Sequence, residues 1–347
     1  MEIYFVFFFI LAIASFFKLI NLTFLKIIFV ILILFTGLRY NVGNDYLTYQ
    51  YNFNAIKTGL GESVSTEPLY LLINYISPNF EFVIFFYAFF SFYFLYKALI
   101  FFSDQYRILN LLIFYSLYFI IFDIHIIRQG LSVSIVLYSY IYLYKKEYKT
   151  FLFWLLIAFL SHKSALFVLV LLPFFKINFI KFYSIYLIFA SIIFSFFSNH
   201  VLSFIYLVMS YIPFISNYSL YYRIEEATNY GISFGIICDL ILFILLFFNR
   251  KKLNSKDFFL YKIFFVSIFF TFIFLVQPNA LRLIYYFRVV NIFLFVILFC
   301  KIYLNIFFTQ ISIILYCYLY FMVNFTGEDR EHGKSDRNLY YKTILKK

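Results

Sequence analysis

Charged residues are scarce in this chain of 347 residues. Asp, Glu, Lys and Arg make up only 13% of it, whereas hydrophobic residues make up 65%. A soluble domain has about 25% charged residues, so the composition excludes an ordinary soluble fold. Apolar runs of roughly 17–23 residues alternate instead with short polar breaks. This pattern predicts an all-α, polytopic integral membrane protein.

Cysteine is also rare, and its three residues lie inside apolar runs without paired spacing: Cys238, Cys300, Cys317. The sequence therefore predicts neither a disulfide framework nor a metal site built on cysteine. It also lacks a phosphate-binding glycine loop, a zinc-type His/Glu spacing, a nucleophile elbow and an acidic DxD pair. No cofactor is expected, and the substrate is expected to arrive within the membrane or from outside it.

The apolar runs predict about 10–13 transmembrane helices, some of them short or broken. They form one predicted domain, residues 1–323, with external loops at 38–67 and about 199–231 and a polar C-terminal tail at 324–347. The net charge of +12 is expected to set the orientation in the membrane, not to bind nucleic acid. In the topology that places most basic residues in the cytoplasm, the cytoplasmic loops carry mostly lysine. The outer segments collect mostly arginine, whose planar fork suits phosphate oxygens.

Two polar clusters interrupt the apolar sequence in the middle of the chain, namely Arg128-Gln129 and the run from Ser161 to Ser164. A basic hinge at Lys145–Lys149 separates them. If both apolar arms are helices, each rises roughly 24–26 Å, so Arg128 and His162 are predicted to lie at similar depth. Ionisable residues in such places mark a functional site by default.

Each of these residues also has a plain structural interpretation. Arg128 either binds an anion or lies at a helix end, where its long side chain carries the charge to the membrane surface. His162 either accepts a proton or is a buried structural histidine. The runs 151–160 and 165–175 are too short for a full crossing. They predict either a hairpin of short helices that meet at His162 or one helix with Lys163 at mid-membrane.

A second candidate segment, Gly37–Tyr49, begins where the second apolar run ends. In a functional interpretation Arg39 binds a phosphate, Asp45 accepts a proton, and Tyr46 and Tyr49 stack on a sugar. The alternative is an interfacial aromatic belt with a solvated turn built on Asn and Gly. The residues of this segment alone do not decide between the two.

Other polar residues of the outer segments are candidates as well. Arg282 and Arg288 are six positions apart, so they do not share a helix face. Arg282 follows a boundary at Gln277-Pro278-Asn279, whereas Arg288 lies deeper in an apolar run. The remaining members of this group bind substrate or are merely solvated: Glu67, Arg223, Glu225, Glu226.

Across nearly the whole chain these residues resemble the EpsG-like, Wzy-type bacterial polysaccharide polymerases. The resemblance rests on the pattern G-x-R-x-x-x-G-x-D-Y-x-x-Y at 37–49, on Glu67, Arg128-Gln129 and His162, and on R-x-x-x-Y-F at 282–287. It implies a metal-independent membrane glycosyltransferase of GT-C-like architecture in the bacterial inner membrane. Such an enzyme joins undecaprenyl-diphosphate-linked oligosaccharide repeats into O-antigen, capsule or exopolysaccharide on the periplasmic side.

By this resemblance Arg128 and Arg282, with Arg39, are expected to stabilise the departing diphosphate. Asp45 or His162 is expected to take the proton of the acceptor hydroxyl. The remaining candidates are expected to bind the sugar or the lipid-linked substrate: Tyr46, Tyr49, Glu67, Gln129, Arg223, Tyr286. A chain-length regulator and a flippase are the expected membrane partners.

Two other classes of membrane protein compete with this interpretation. A flippase for lipid-linked sugars needs charged residues along both halves of the bilayer, whereas the polar residues here cluster toward one side. An O-acyltransferase that modifies polysaccharide draws on a cytoplasmic acyl donor, and the sequence has no inward cluster of His or Arg for it. The polar pattern therefore favours a polymerase.

Overall fold

The computed structural model is helical throughout the part of the chain that it describes. That part comprises residues 2–17, 21–59, 67–103, 105–176, 180–195, 207, 211, 232–275, 278–302, 306–326 and 341–346. Among these residues the only β-type pairing is one isolated bridge between Arg39 and Thr343. The predicted all-α fold is therefore confirmed.

The helices of the first half are numbered here in chain order. They are α1 (Glu2–Ser15), α2 (Leu22–Gly37), α3 (Tyr46–Lys57), α4 (Pro68–Ile76), α5 (Phe80–Phe102), α6 (Arg107–Phe114), α7 (Ile127–Tyr144) and α8 (Tyr148–Ser161). A π-helix, Tyr115–His125, continues α6 without a break. A 3₁₀-helix, Lys163–Val170, follows α8.

The second half continues with shorter and longer helices. They are α9 (Leu171–Lys176), α10 (Ile180–Ser195), α11 (Phe234–Phe248), α12 (Ser255–Ile273), α13 (Pro278–Arg288), α14 (Asn291–Val296) and α15 (Ile306–Thr326). A second π-helical segment, Ile297–Ile302, follows α14. The chain divides into two compact units, one formed by residues 1–166 together with 295–347 and the other by 167–294.

Two of the described helices are long and apolar enough to cross a membrane, Phe80–Phe102 and Arg107–His125. The bent pair Ala280–Arg288 and Asn291–Cys300 adds a third span if it is counted as one. The other apolar helices have 10–17 residues: Glu2–Ser15, Leu22–Gly37, Tyr148–Ser161, Lys163–Pro173, Ser184–Ser195, Phe234–Phe248, Phe307–Val323. These are the elements of a polytopic membrane protein, and the count of about 10–13 crossings stays a prediction.

Helix α7 is enclosed by protein on most of its surface. It packs against α5, α8 and the π-helix Tyr115–His125, and 14 of its 18 residues are buried. Because its neighbours are side chains, and not lipid, the helix can carry several serines, Gln129 and Arg128 without the cost of exposing them to hydrocarbon. This helix is the element on which the candidate site is built.

The reversal predicted at the basic hinge is present. Helix α7 ends at Tyr144 and α8 begins at Tyr148, with Lys146 between them in the left-handed region at φ 62°. The hydroxyl of Ser132 on α7 donates to the Ala158 carbonyl of α8 at 2.9 Å. This hydrogen bond and the packing of the two helices make α7 and α8 an antiparallel hairpin.

The chain also breaks at His162, where the sequence predicted a junction. Helix α8 ends at Ser161, whose hydroxyl donates to the Arg128 carbonyl at 3.2 Å. His162 then has extended backbone, with φ −156° and ψ 120°. The 3₁₀-helix begins at the next residue, Lys163. One uninterrupted helix through Lys163 is therefore excluded.

Gly43 is required by two independent constraints. Its φ of +106° lies in the region that favours glycine. A Cβ atom at this position would also overlap the backbone carbonyl of Ile124, at the end of the π-helix. Gly59 has a similar φ of +82° but has nothing within 4 Å of its ideal Cβ. Both positions thus have a backbone conformation that would strain any other residue, and they differ in the room for a side chain.

We expect Gly43→Ala to destabilise the protein more than Gly59→Ala does. The extra loss should be about 1–3 kcal/mol, the usual cost of forcing an added methyl group into a packed place. Thermal unfolding of the two variants in nanodiscs measures the difference. Equal losses for the two variants would show that the close approach to Ile124 does not limit the residue at 43.

Candidate functional site

The carboxylate of Glu67 connects the two polar clusters that the sequence singled out. Arg128 donates from Nη1 to Oε2 of Glu67 at 2.5 Å. His162 meets the other oxygen, Oε1, through Nδ1 at 2.9 Å. Arg128 and His162, predicted to lie at similar depth, are therefore brought together by one shared partner. Glu67, Arg128 and His162 are called the Glu67 triad below.

The three residues come from three elements. Glu67 precedes α4, Arg128 lies in the first turn of α7, and His162 immediately follows α8. Pro68 at the first position of α4 fixes the start of that helix. The Glu67 side chain makes no capping bond to its own helix. Its carboxylate is therefore used across the bundle and holds α4, α7 and α8 in one arrangement.

The Glu67 triad is closed on one side and open on the other. The Glu67 side chain is 6% exposed, whereas those of Arg128 and His162 are 21% and 28% exposed. Burial raises the pKa of Glu67, but the hydrogen bond with His162 and the charge of Arg128 outweigh burial, so this pKa lies below its usual value. The carboxylate is thus ionised at neutral pH, and its two partners are each partly exposed.

Buried tyrosines form a wall on one side of the Arg128 guanidinium. Its Cζ lies 4.9 Å from the ring centre of Tyr70 and 5.6 Å from that of Tyr49. The rings of Tyr49 and Tyr70 are 6.1 Å apart, and Tyr87 continues the row 6.3 Å beyond Tyr70. All three tyrosines are buried. They orient the cation through its contact with their π faces, so Tyr49 does not offer the open sugar platform predicted from the sequence.

Arg39 has a different role from the phosphate contact that the sequence predicted. It is 1% exposed. Its Nη1 donates to the carbonyls of Thr36 at 3.2 Å and Asp123 at 2.5 Å, and its Nη2 donates to the carbonyl of Ile124 at 3.2 Å. The last carbonyls of a helix lack hydrogen-bond donors within the helix. Here the Arg39 guanidinium supplies those donors. We therefore assign Arg39 to holding the end of the π-helix.

The C-terminal segment 341–346 covers the chain around Arg39. The amide of Tyr40 donates to the Lys342 carbonyl at 2.9 Å, and that of Ile344 to the Leu38 carbonyl at 3.0 Å. Tyr341 stacks on Phe35 with ring centres 4.3 Å apart and donates to its carbonyl. The segment after α2 and the segment 341–346 thus lie at the same end of the bundle.

The other candidates of the Gly37–Tyr49 segment are divided. Tyr46 is buried and packs against the rings of Tyr40 and Phe80 at 6.2 and 5.1 Å, so it belongs to the core and not to an open sugar site. Asp45 is half-buried at the start of α3, where its carbonyl accepts from the Tyr49 amide. It therefore lies one turn from the residue that faces Arg128, and its role as a base stays a prediction.

Gln129 and His125 lie close to the triad in sequence. Gln129 is buried in the bundle next to Arg128, which does not match a side chain that reaches out to sugar hydroxyls. His125, which the sequence analysis did not single out, accepts from the Asn44 amide through Nδ1 at 3.0 Å. This bond ties the end of the π-helix to the turn before α3.

The second unit holds the remaining described candidates. Arg282 is half-buried on α13, and Tyr286, one turn later, is fully buried. Arg288 donates from Nε to Asp239 of α11 at 2.5 Å, and Asn291 donates to the other oxygen of that carboxylate at 3.0 Å. The contact of Arg282 with a diphosphate stays a prediction. Arg223 lies outside the described residues.

Comparison with known proteins identifies the family of this chain. The family model of the EpsG family matches residues 22–343, nearly the whole chain. The chain belongs to the EpsG family. Searches of curated proteins and of solved structures gave no match. The resemblance drawn from the motifs is therefore confirmed, and the GT-C-like architecture stays a prediction.

Membership in the EpsG family supports a polysaccharide polymerase-type role. The matched range includes Glu67, Arg128 and His162, which the fold joins into one cluster. The tyrosines at 70 and 87 were missed by the sequence analysis because 27% of the chain is aromatic, so no single tyrosine stands out. Asp239 was missed because it is one acid within an apolar run. Among the described residues no group of three or more His, Cys, Asp and Glu is placed to hold a metal ion.

We expect Glu67→Gln to lower the free energy of unfolding of this EpsG-family protein at neutral pH. The loss should be roughly 3 kcal/mol, because the change leaves the largely buried Arg128 without its counter-charge. The folded pKa of Glu67 lies below the usual 4.5. The stabilisation is therefore complete above that usual value and is lost as the pH falls through the folded pKa.

Thermal unfolding in nanodiscs over an acid pH series measures this effect. The wild type should approach the Glu67→Gln variant in stability as the pH falls. Glu147→Gln, at an exposed position of the hinge, is the matched control and should change little at any pH. Equal stability of the two variants at neutral pH would contradict a stabilising role for the triad.

Proposed function

We propose that this protein is a polysaccharide polymerase that transfers a growing glycan from a lipid diphosphate to a lipid-linked acceptor repeat. The observation that carries the proposal is the Glu67 triad, in which a buried carboxylate holds a guanidinium and an imidazole side by side. The family match supports the same class of function. The proposed place is the bacterial inner membrane, with the site on the periplasmic side and undecaprenyl diphosphate as the carrier.

Arg128 is the proposed contact for the diphosphate. Its Nη1 is held by Glu67 and its flat face lies against Tyr70, so the remaining edge of the guanidinium is fixed in direction. A fixed guanidinium binds phosphate oxygens in a bidentate way, and it does so most strongly where water is scarce. It therefore stabilises the charge that develops on the diphosphate as the glycosidic bond breaks.

His162 is the proposed proton acceptor. An ionised carboxylate is only an acceptor, so the Nδ1 atom that meets Glu67 carries the hydrogen. In the neutral imidazole the lone pair is then on Nε2. A carboxylate that orients an imidazole and fixes its tautomer is a recurrent arrangement for a general base. This geometry favours His162 over Asp45, between which the sequence did not decide.

In the proposed reaction His162 acts on the acceptor and Arg128 acts on the diphosphate of the donor. The acceptor hydroxyl oxygen attacks the anomeric carbon of the donor sugar, and its proton passes to Nε2 of His162. The bond from that carbon to the diphosphate oxygen breaks, and the electron pair stays on the diphosphate, which Arg128 holds. The products are a glycan longer by one repeat on the acceptor lipid and a free lipid diphosphate.

We expect Arg128→Ala to abolish long-chain polymer in cells while the protein still inserts in the membrane. Loss of a fixed charge that stabilises the leaving group should slow the reaction roughly 10²–10³-fold. Arg128→Lys keeps the charge without the planar fork and should retain part of the activity. Polymer length on gels, read beside the amount of protein in membranes, measures both variants.

Lys149→Ala, at an exposed position beside the hinge, is the control for the Arg128 variants. Full-length polymer from a stably expressed Arg128→Ala variant would remove Arg128 from the mechanism. The side on which single-repeat glycolipid accumulates tests the rival function as well. Accumulation on the outer side of the inner membrane indicates a polymerase, whereas accumulation on the inner side indicates a flippase.

We expect His162→Asn to slow polymerisation roughly 10²–10⁴-fold, the usual contribution of a general base. The amide of asparagine can still donate to Glu67, but it cannot take up a proton at neutral pH, so the change separates catalysis from structure. Asp45→Asn is the matched comparison and should have a small effect. A large loss with Asp45→Asn and none with His162→Asn would reverse the assignment.

A further inference from the structure

Helix α4 has a buried face and an exposed apolar face that point in opposite directions. Tyr70, Ile73 and Asn74 are buried against the bundle. Leu72, Tyr75 and Ile76 are 53%, 71% and 60% exposed on the other side. The helix has nine residues, about 14 Å, and is too short to cross a bilayer. A helix whose outward face met water would carry polar residues there, and this face has none that is charged.

The neighbours of α4 indicate what covers this outward face. Besides α3, the helix packs against α5 and α8. Helix α5 is long enough to span a membrane, and both neighbours expose large apolar side chains: Phe82, Phe89, Leu152, Leu156. The outward face of α4 therefore adjoins surface that is itself suited to lipid. Lipid is the simplest covering for the exposed apolar surface of α4, α5 and α8.

Polar groups at the end of α4 place it near the lipid head groups. Lys57, at the end of α3, donates from Nζ to the Tyr75 carbonyl at 2.6 Å. Tyrosine and lysine are the side chains that usually mark the level of the head groups. The exposed face of α3 is mixed in character and includes both Tyr51 and Asn54. Helix α3 thus suits the aqueous side of the membrane–water interface, and α4 suits its hydrocarbon side.

We propose that α4 lies in the interface of one leaflet, with Leu72, Tyr75 and Ile76 in contact with lipid. We further infer that the head group of a lipid-linked substrate comes from the bilayer beside this helix and meets the exposed part of Arg128, away from the tyrosine wall. Tyr70 on the opposite face of α4 meets the Arg128 guanidinium at 4.9 Å. Only the width of one helix, about 10 Å, therefore separates the lipid from the site. The substrate route rests on the proposed function, whereas the position of α4 does not.

Fluorescence quenching tests the position of α4. The chain has one tryptophan, Trp154, and Trp154→Phe gives a background into which Tyr75→Trp is introduced. The purified full-length protein is placed in liposomes whose lipids carry bromine on the acyl chains. We expect the tryptophan at 75 to be quenched several-fold more than one introduced by Asn54→Trp on α3. Quenching at 75 no stronger than at 54 would overturn the proposal.

A kinetic comparison tests the substrate route. Leu72→Glu places a negative charge on the proposed path of an anionic head group, whereas Thr48→Glu places one on the exposed side of α3. We expect Leu72→Glu to raise the KM for lipid-linked substrate several-fold with kcat nearly unchanged, and Thr48→Glu to leave both constants unchanged. An unchanged KM in a Leu72→Glu variant would overturn the route.

The two experiments separate the inference from the function on which part of it rests. If wild-type protein makes no polymer from lipid-linked repeats while the tryptophan at 75 is quenched, the proposed function fails and the position of α4 stands. If wild-type protein makes polymer while the tryptophan at 75 is not quenched, the function stands and the position of α4 is wrong.

Discussion

The buried carboxylate of Glu67 is the constraint on which the rest of this site depends. An ionised group in a poorly solvated place is costly unless opposite charges and hydrogen-bond donors surround it, and Arg128 and His162 provide both. Because the three residues belong to the start of α4, the start of α7 and the end of α8, satisfying one charge also fixes three helix ends. Arg128 and His162 nevertheless stay partly exposed.

Arg39 is a second cation inside the protein, and it is bonded to backbone carbonyls and not to a carboxylate. Arg39 gives its donors to carbonyls at the end of the π-helix, immediately before the turn that starts α7. The position of Arg128 therefore depends on Arg39 through the backbone between them. Two arginines that look alike in the sequence thus have separate tasks, one within the fold and one at the surface of the site.

Helix content, the hinge between α7 and α8 and the proximity of Arg128 and His162 followed from the sequence, because similar helix lengths on both sides of a turn bring their far ends together. The partners of the arginines did not follow. Whether a guanidinium meets a phosphate, a carboxylate or a carbonyl depends on tertiary contacts, as Arg39 and the pair Arg288–Asp239 illustrate. The tyrosine wall was equally hidden, because aromatic residues are too common here to carry a signal.

The contacts of segment 341–346 have a consequence for the order of folding. Tyr341 and Phe35 are 306 positions apart in the chain, yet the tyrosine hydroxyl binds the Phe35 carbonyl and the flanking backbone pairs with residues 38 and 40. During synthesis the second helix enters the membrane long before Tyr341 exists. The turn that contains Arg39 can therefore reach its final geometry only after Tyr341, 306 positions beyond Phe35, has been translated.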